Sequence, residues 1–369
     1  MSSGELAEGG TLTVGIAGAG LLGRLLAWRL LASGYRVSLF DRDCISSGSA
    51  AAYTAAGMLA PYSELESAES SVYQLGMHSL KLWPEWIKQL NGESLFHQGG
   101  TLVVAHPQDR AYLEHFHQVL ERKLPASNQF QKLMSSKAIG ELEPPLAEQF
   151  SAALFLPEEA WLHTFELMDL LAERVISSGG QWYEQTTVNQ VAAHCIHTGQ
   201  SIHKFDWVID CRGLGAKQQL PQLRGVRGEV IEVIAPEVSI RRMVRIMHPR
   251  YRLYLVPRPN HQYIIGATQI ESEDYSNISV RSALELLSAL YAIDKGFAEA
   301  RITATRTNCR PALLDNFPII NRRPGLIQAN GLFRHGYLLA PAMVEQVQGV
   351  IEDSLARLPQ FSNLHRSLS

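Results

Sequence analysis

Residues 11–41 read TLTVGIAGAGLLGRLLAWRLLASGYRVSLFD, and this stretch decides the fold. Residues 11–17 form a short apolar run suited to a buried strand. Residues 21–33 are apolar at 21, 22, 25, 26, 30 and 31, the spacing of a helix, and Gly34 is placed to end it. Residues 37–40 read as a second strand. Strand, tight turn, helix and strand within about 30 residues make a βαβ unit. The turn is Gly18-Ala19-Gly20-Leu21-Leu22-Gly23, a GxGxxG pattern. Its first glycine permits the tight turn, the second lets a pyrophosphate approach the backbone, and the third lets helix and strand pack closely. The helix N-terminus offers free N–H groups and the positive end of its dipole to phosphate. Asp41 ends the second strand, where a carboxylate can accept hydrogen bonds from ribose hydroxyls. The unit therefore binds a dinucleotide, and the turn alone does not separate FAD from NAD.

The remaining chain sets bounds on everything else. With 369 residues, two domains are expected. The formal net charge of −3 argues against a nucleic-acid partner and an anionic membrane surface, although residues 241–252 form one basic cluster. The four cysteines, Cys44, Cys195, Cys211 and Cys309, make no CxxC pair, which argues against zinc and against a disulfide framework and fits a reducing cytoplasm. The N-terminal segment lacks the basic start of a secretory signal. The most apolar stretch, residues 12–31, contains Arg24 and Arg29, so no membrane span is expected.

Downstream, residues 67–91 look helical, 102–105 a strand, 107–150 mixed and mostly helical, and 164–178 a second good helix. Residues 207–210 are an apolar strand running into Arg212-Gly213-Leu214-Gly215. Strands alternate with turns over 226–268, a helix is expected over 280–299, a strand over 326–329 and a closing helix over 343–357. The companions of the opening βαβ unit thus lie far from it in sequence, with a β-rich segment between. The expected fold class is α/β: a Rossmann-like nucleotide domain (residues 11–80, 164–225 and 305–360). An α+β substrate domain on a mixed, largely antiparallel sheet (residues 81–163 and 226–304) is interleaved with it.

Six further segments, in order, carry a family resemblance. Thr54-Ala55-Ala56-Gly57-Met58-Leu59-Ala60-Pro61 resembles a "SAAGML" loop, and His97-Gln98-Gly99-Gly100 a "GG" strand entry. Gly225-Val226-Arg227-Gly228-Glu229 resembles "PVKGE". Tyr254-Leu255-Val256-Pro257-Arg258 with Ile265-Gly266-Ala267-Thr268 resembles "YIVPR…VGAT". Cys309-Arg310-Pro311 resembles "LRPxT", and residues 333–341, FRHGYLLAP, resemble "FRNGILLAP". These are the marks of the D-amino-acid oxidase superfamily, and the chain is most similar to its glycine oxidases. The resemblance spans about residues 12–357 and implies FAD rather than NAD.

Carried over by position, Gly18, Gly20, Leu21, Leu22 and Gly23 would take the pyrophosphate, and Asp41 with Arg42 the adenosine. Ala51, Ala52, Ala56, Gly57 and Met58 would line the flavin. Val188 would meet the adenine and Gly213 would form the second turn. Leu332, Phe333, Arg334, His335, Gly336, Tyr337 and Leu338 would face the isoalloxazine ring. The chain departs from the pattern at Cys211-Arg212-Gly213, where relatives carry a small residue before the glycine, and at Ala312-Leu313-Leu314, which replaces a Gly-Thr continuation.

The implied activity is oxidative deamination of glycine or a related small amine to an imine. A hydride passes to flavin N5, O2 is the acceptor, H2O2 is formed, and the imine serves thiamine thiazole synthesis. Such chemistry needs a flavin as electron sink and a handle for the substrate carboxylate, for which a bidentate arginine is the best partner. The resemblance assigns that role to Arg310, assisted by Tyr254, with Arg334 as a second arginine beside the flavin. The alternatives are a dehydrogenase with a non-O2 acceptor, or a flavoprotein oxidising an amine on a tRNA or protein. A homo-oligomer is compatible with the family. Cys309, one position before Arg310, stands where monomeric sarcosine oxidases attach flavin covalently, but a small buried thiol is the simpler reading and non-covalent FAD is expected. Acid precipitation checks this: the yellow colour should remain wholly in the supernatant, and colour in the pellet would mean a bond at Cys309.

Overall fold

The computed structural model describes residues 11–124, 130–133, 135–199, 201–248 and 252–356. At its centre, strand Thr13–Ala17 is flanked by two parallel partners. Arg36–Phe40 lies on one side and Trp207–Asp210 on the other, with Val14 opposite Val37 and Trp207. The six-stranded sheet runs Ile319–Arg323, Leu326–Asn330, Trp207–Asp210, Thr13–Ala17, Arg36–Phe40, Gln181–Tyr183. Both faces are covered, so its inner strands are mostly apolar. Val14, Ile16, Leu39, Ile209 and Ile327 face the helices, while Ala17, Phe40 and Val208 face a small antiparallel sheet through Val191 and Ile196. That sheet (Val188–Ala192, Cys195–Thr198, Ser201–Lys204) was not anticipated, because its strands are short and mostly polar.

Four helices pack on the other face: Leu21–Ala32, Ser70–Gln89, Thr164–Ser177 and Gly336–Ala356. The last begins seven residues before the expected start at 343, so the FRHGYLLAP segment leads into and forms its first turns; Arg357 lies outside the described residues. Pro341 sits inside this helix and cannot donate to the carbonyl of Tyr337, four residues earlier. Trp83, fully buried, supplies the missing donor: its Nε1 lies 2.9 Å from that carbonyl oxygen. Ser79 Oγ accepts from the Ala342 N–H at 3.1 Å.

The second sheet has nine strands. It is antiparallel except where Met243–Met247 runs parallel to Thr101–Val104, so it is mixed and largely antiparallel. Its longest member, Arg301–Ala312, pairs along its length with Arg224–Ile234. This strand was not anticipated, because RITATRTNCRPA is polar and contains a proline. The expected boundary at residue 305 falls within it. The expected 280–299 helix is Val280–Ile293 followed by a separate 3-10 turn, Lys295–Glu299.

Replacing Trp83 by Phe keeps the ring but removes the donor, leaving a buried carbonyl unpaired. The expected cost is about 1–3 kcal/mol, read as a lower urea midpoint with an unchanged slope.

Candidate active site

A cleft of about 1000 Å³ is lined by residues of both large sheets and runs from the glycine turn to the helix beginning at Gly336. At one end, Gly18 has φ +99° and a Cβ there would lie 2.7 Å from the Cys211 carbonyl oxygen. Gly20 faces open space, with only Ala50 Cβ within 3.8 Å of where its own would be. It precedes a helix whose first N–H groups receive no capping side chain. Gly23 is different. It does not line the cleft, and its Cβ would lie 1.9 Å from the Gly18 carbonyl oxygen. Its part is the close packing of helix on turn. The Asp41 carboxylate accepts from the N–H groups of Ala19 and Asp43, so it steadies the turn while facing the cleft.

Arg212, the departure from the family pattern, has a clear structural part. Its Nε and Nη2 each lie 2.8 Å from buried Asp210, its Nη1 3.0 Å from the Val188 carbonyl, and its Nη2 2.6 Å from Gln219 Oε1. It thus ties the second glycine turn, where Gly213 has φ +56°, to the strand that begins at Val188. Both Val188 and Gly213 line the cleft, as do Arg42, Ala51 and Ala52.

Midway, Gly57 (φ +71°) brings the Ala56–Met58 loop against the Leu162 carbonyl, where a Cβ would stand 2.2 Å from the oxygen. Arg258 caps this contact. Its Nη2 donates to the carbonyls of Ala56 (2.8 Å) and Leu162 (3.2 Å), and its guanidinium lies 4.2 Å from the Trp161 ring centre. Burial lowers its pKa to about 10. Tyr337 donates to the Ala52 carbonyl at 3.2 Å, joining the closing helix to the same loop. Leu332, Phe333, Arg334, His335, Gly336 and Leu338 line the wall beside it.

At the inner end stand Arg310, Tyr254 and Arg334. Arg310 lies flat over Gly228, whose Cβ would meet its Nη2 at 2.2 Å, so no side chain fits there. Its Nη1 donates to the Thr268 carbonyl (3.1 Å), and the Thr268 hydroxyl is in turn fixed on buried Glu229 (2.8 Å), which pairs with Arg227. Burial lowers the Arg310 pKa and raises that of Tyr254, whose nearest charges are Arg310, Arg334, Arg258 and Glu64. Arg334 is engaged by Glu64, Ser67 and Gln269. Glu64 and Arg258 were missed from sequence. Glu64 sits six positions after Met58 in a one-turn helix, and no motif marks it. His335 is buried with Nδ1 3.5 Å from Glu64 Oε2, outside any hydrogen bond among the described residues.

Cys309 is the small buried thiol expected from the sequence, whereas the reading of 241–252 as one basic cluster changes. Cys309 faces away from Arg310 because neighbours on a strand alternate. Its sulfur lies 3.7 and 3.6 Å from the carbonyls of Ser272 and Asp274, and burial raises the thiol, against a thiolate aimed at a flavin. The basic cluster at 241–252 is not one surface. Arg242 meets the Leu142 carbonyl and Glu143, Arg245 is buried against the Ser63 carbonyl and Glu66, and residues 249–251 lie outside the described residues.

A long cleft with a glycine turn and an uncapped helix end at one extremity fits a dinucleotide, and the loop-and-helix wall beside it fits a flat ring. No described helix is long and apolar enough to cross a membrane, and among the described residues no cluster could hold a metal. A family profile described as FAD dependent oxidoreductase (DAO) matches residues 13–347. The putative thiamine biosynthesis oxidoreductase ThiO of Rhizobium etli is 40% identical over 332 residues, covering 90% of this chain and 94% of that protein. The glycine oxidase of Geobacillus kaustophilus is 27% identical over 357 residues, 92% of each chain. A crystal structure of glycine oxidase from Geobacillus kaustophilus superposes with a TM-score of 0.81 at 24% identity, covering 93% of this chain and 95% of that one.

The one-turn helix Pro61–Glu64 is pinned from below by Glu159, which is fully buried and accepts from Ser63 N (2.7 Å) and Ser63 Oγ (3.0 Å). Burial pushes its carboxyl up to about 7 from an ordinary 4.5. Because the folded value exceeds the unfolded one, the folded state holds the proton more tightly. Stability therefore falls as pH rises from about 4.5 to about 7, by about 3 kcal/mol in all. Glu159→Gln should remove this part of the slope, measured by denaturant midpoints across that range.

Proposed function

The chain belongs to the DAO family of FAD-dependent oxidoreductases, and on that premise we propose that it oxidises glycine, or a comparably small amino acid, at the inner end of the cleft. Bound FAD supplies the acceptor for the substrate's hydride and is returned to its oxidised form by O2, with H2O2 as the second product. The observation that carries the reading is Arg310: a half-buried guanidinium facing the cleft, with carbonyls but, among the described residues, no carboxylate against it. An amino-acid carboxylate satisfies it through two charge-assisted hydrogen bonds. Tyr254, facing the same space, supplies a hydroxyl for the same group.

The glycine turn takes the pyrophosphate through Gly18, Gly20, Leu21 and Leu22, and Asp41 with Arg42 the adenosine. The backbone of Val188 meets the adenine and Gly213 supports the second turn. The loop of Ala51, Ala52 and Ala56–Met58 and the wall from Leu332 to Leu338 hold the ring. Similarity to the Rhizobium protein supports a place for the imine product in thiamine biosynthesis. Four unpaired cysteines support a cytoplasmic location. Exposed Val280, Leu284 and Tyr291 along one helix support association of several copies. The internal engagement of Arg242 and Arg245 speaks against a tRNA substrate.

Anaerobic addition of glycine should bleach the oxidised flavin. If neither glycine, sarcosine, D-alanine nor any simple amine bleaches it, the reading fails. Arg310→Met should keep the yellow colour while kcat/KM falls by about 10³-fold, the loss of two charged hydrogen bonds.

A further inference from the structure

Two guanidinium groups share the inner cleft, and they are not equivalent. Arg334 is engaged at all three nitrogens. Nε and Nη2 lie 3.0 and 2.5 Å from Glu64 Oε2, Nη2 also lies 2.8 Å from Ser67 Oγ, and Nη1 lies 3.4 Å from Gln269 Oε1. Arg310 meets only the carbonyl oxygens of Thr268 and Arg227 and forms no ion pair among the described residues. Burial raises the Glu64 carboxyl, but Arg334 and His335 overcome it and hold it well below the usual carboxylate range. Glu64 and Arg334 are both about four-fifths covered, with side chains 19% and 20% exposed, so water screens the pair weakly. Together they cancel, and among the described residues lining the inner cleft the uncompensated positive charge is that of Arg310.

We propose that Glu64 is a specificity-determining residue: by taking up Arg334 it leaves the pocket one cationic anchor and confines it to substrates with a single carboxylate. A second carboxylate would meet a guanidinium whose donors are occupied and a Glu64 carboxylate that repels it. Without the Glu64 charge, two cations face the same space and a diacid gains a second partner. This rests on Arg310 as the carboxylate anchor and adds what the neighbouring arginine is prevented from doing.

The test uses FAD-loaded enzyme and acids that are not oxidised, read from the perturbation of the flavin's visible absorbance. Acetate is compared with malonate, succinate and glutarate, which span different separations. In the unaltered enzyme no diacid should bind more tightly than acetate. In Glu64→Gln, which keeps size and hydrogen bonding, the affinity of the best diacid relative to acetate should rise by about tenfold or more. The rise should vanish when Arg334→Met is added. Arg334→Met alone, which leaves the Glu64 anion unpaired, should lower the ratio below that of the unaltered enzyme, and this variant decides the matter if Glu64→Gln does not retain FAD. A ratio unchanged in the single variants, or a rise that survives in the double variant, overturns the proposal. Acetate that binds equally well to the unaltered enzyme and to Arg310→Met would instead overturn the assignment of Arg310.

Discussion

The parallel pairing of Thr13–Ala17 with Trp207–Asp210 is the constraint on which the rest depends. Parallel neighbours cannot be joined by a tight turn, so the chain must leave the sheet and return. Here the excursion is long enough to build three of the nine strands of the second sheet on the way. The return also brings Cys211 against Gly18, with the Cys211 N–H 2.9 Å from the Ala17 carbonyl oxygen, so the two glycine turns lie side by side at the mouth of the cleft. The second crossover, from Trp207–Asp210 to Leu326–Asn330, carries the remaining strands and delivers Arg310 and then the closing helix.

What could be read from the sequence follows from how locally each feature is encoded. The opening βαβ unit is written in one stretch of apolar periodicity and glycine spacing, and the strand at 207–210 is apolar enough to stand out. Arg301–Ala312 does not, because its pairing with Arg224–Ile234 supplies a stability that alternating Thr, Arg and Asn do not advertise. The start of the closing helix was misplaced because Pro341 reads as a break, and the residue that excuses it, Trp83, lies on another helix.

The site shows the same division. Glycines with positive φ, and the arginine beside them, sit in motifs and could be named. Glu64 and Glu159 could not, and Arg258, though it ends a motif, was given no role there. They are charged side chains whose role comes from tertiary neighbours: a guanidinium across the cleft, an indole face, a backbone N–H beneath a single helical turn. Gly23 plays the close-packing part that its place in the motif implies, since it meets backbone where Gly20 meets open space. Arg212 looked like a misfit and proves to be a strut, because its charge is matched by a buried aspartate two positions earlier.

The bond from Trp83 to the Tyr337 carbonyl, with Ser79 on the Ala342 N–H one turn further along, has a mechanical consequence. Apolar helix faces can slip past one another by a turn at modest cost, since one leucine replaces another. Two directional bonds at fixed positions make such slippage discontinuous, because both must break before a new alignment can form. The helix that starts at Gly336 therefore behaves as a clamped beam. The wall it presents, and Arg334 just ahead of it, are thereby held at a fixed height above the cleft floor.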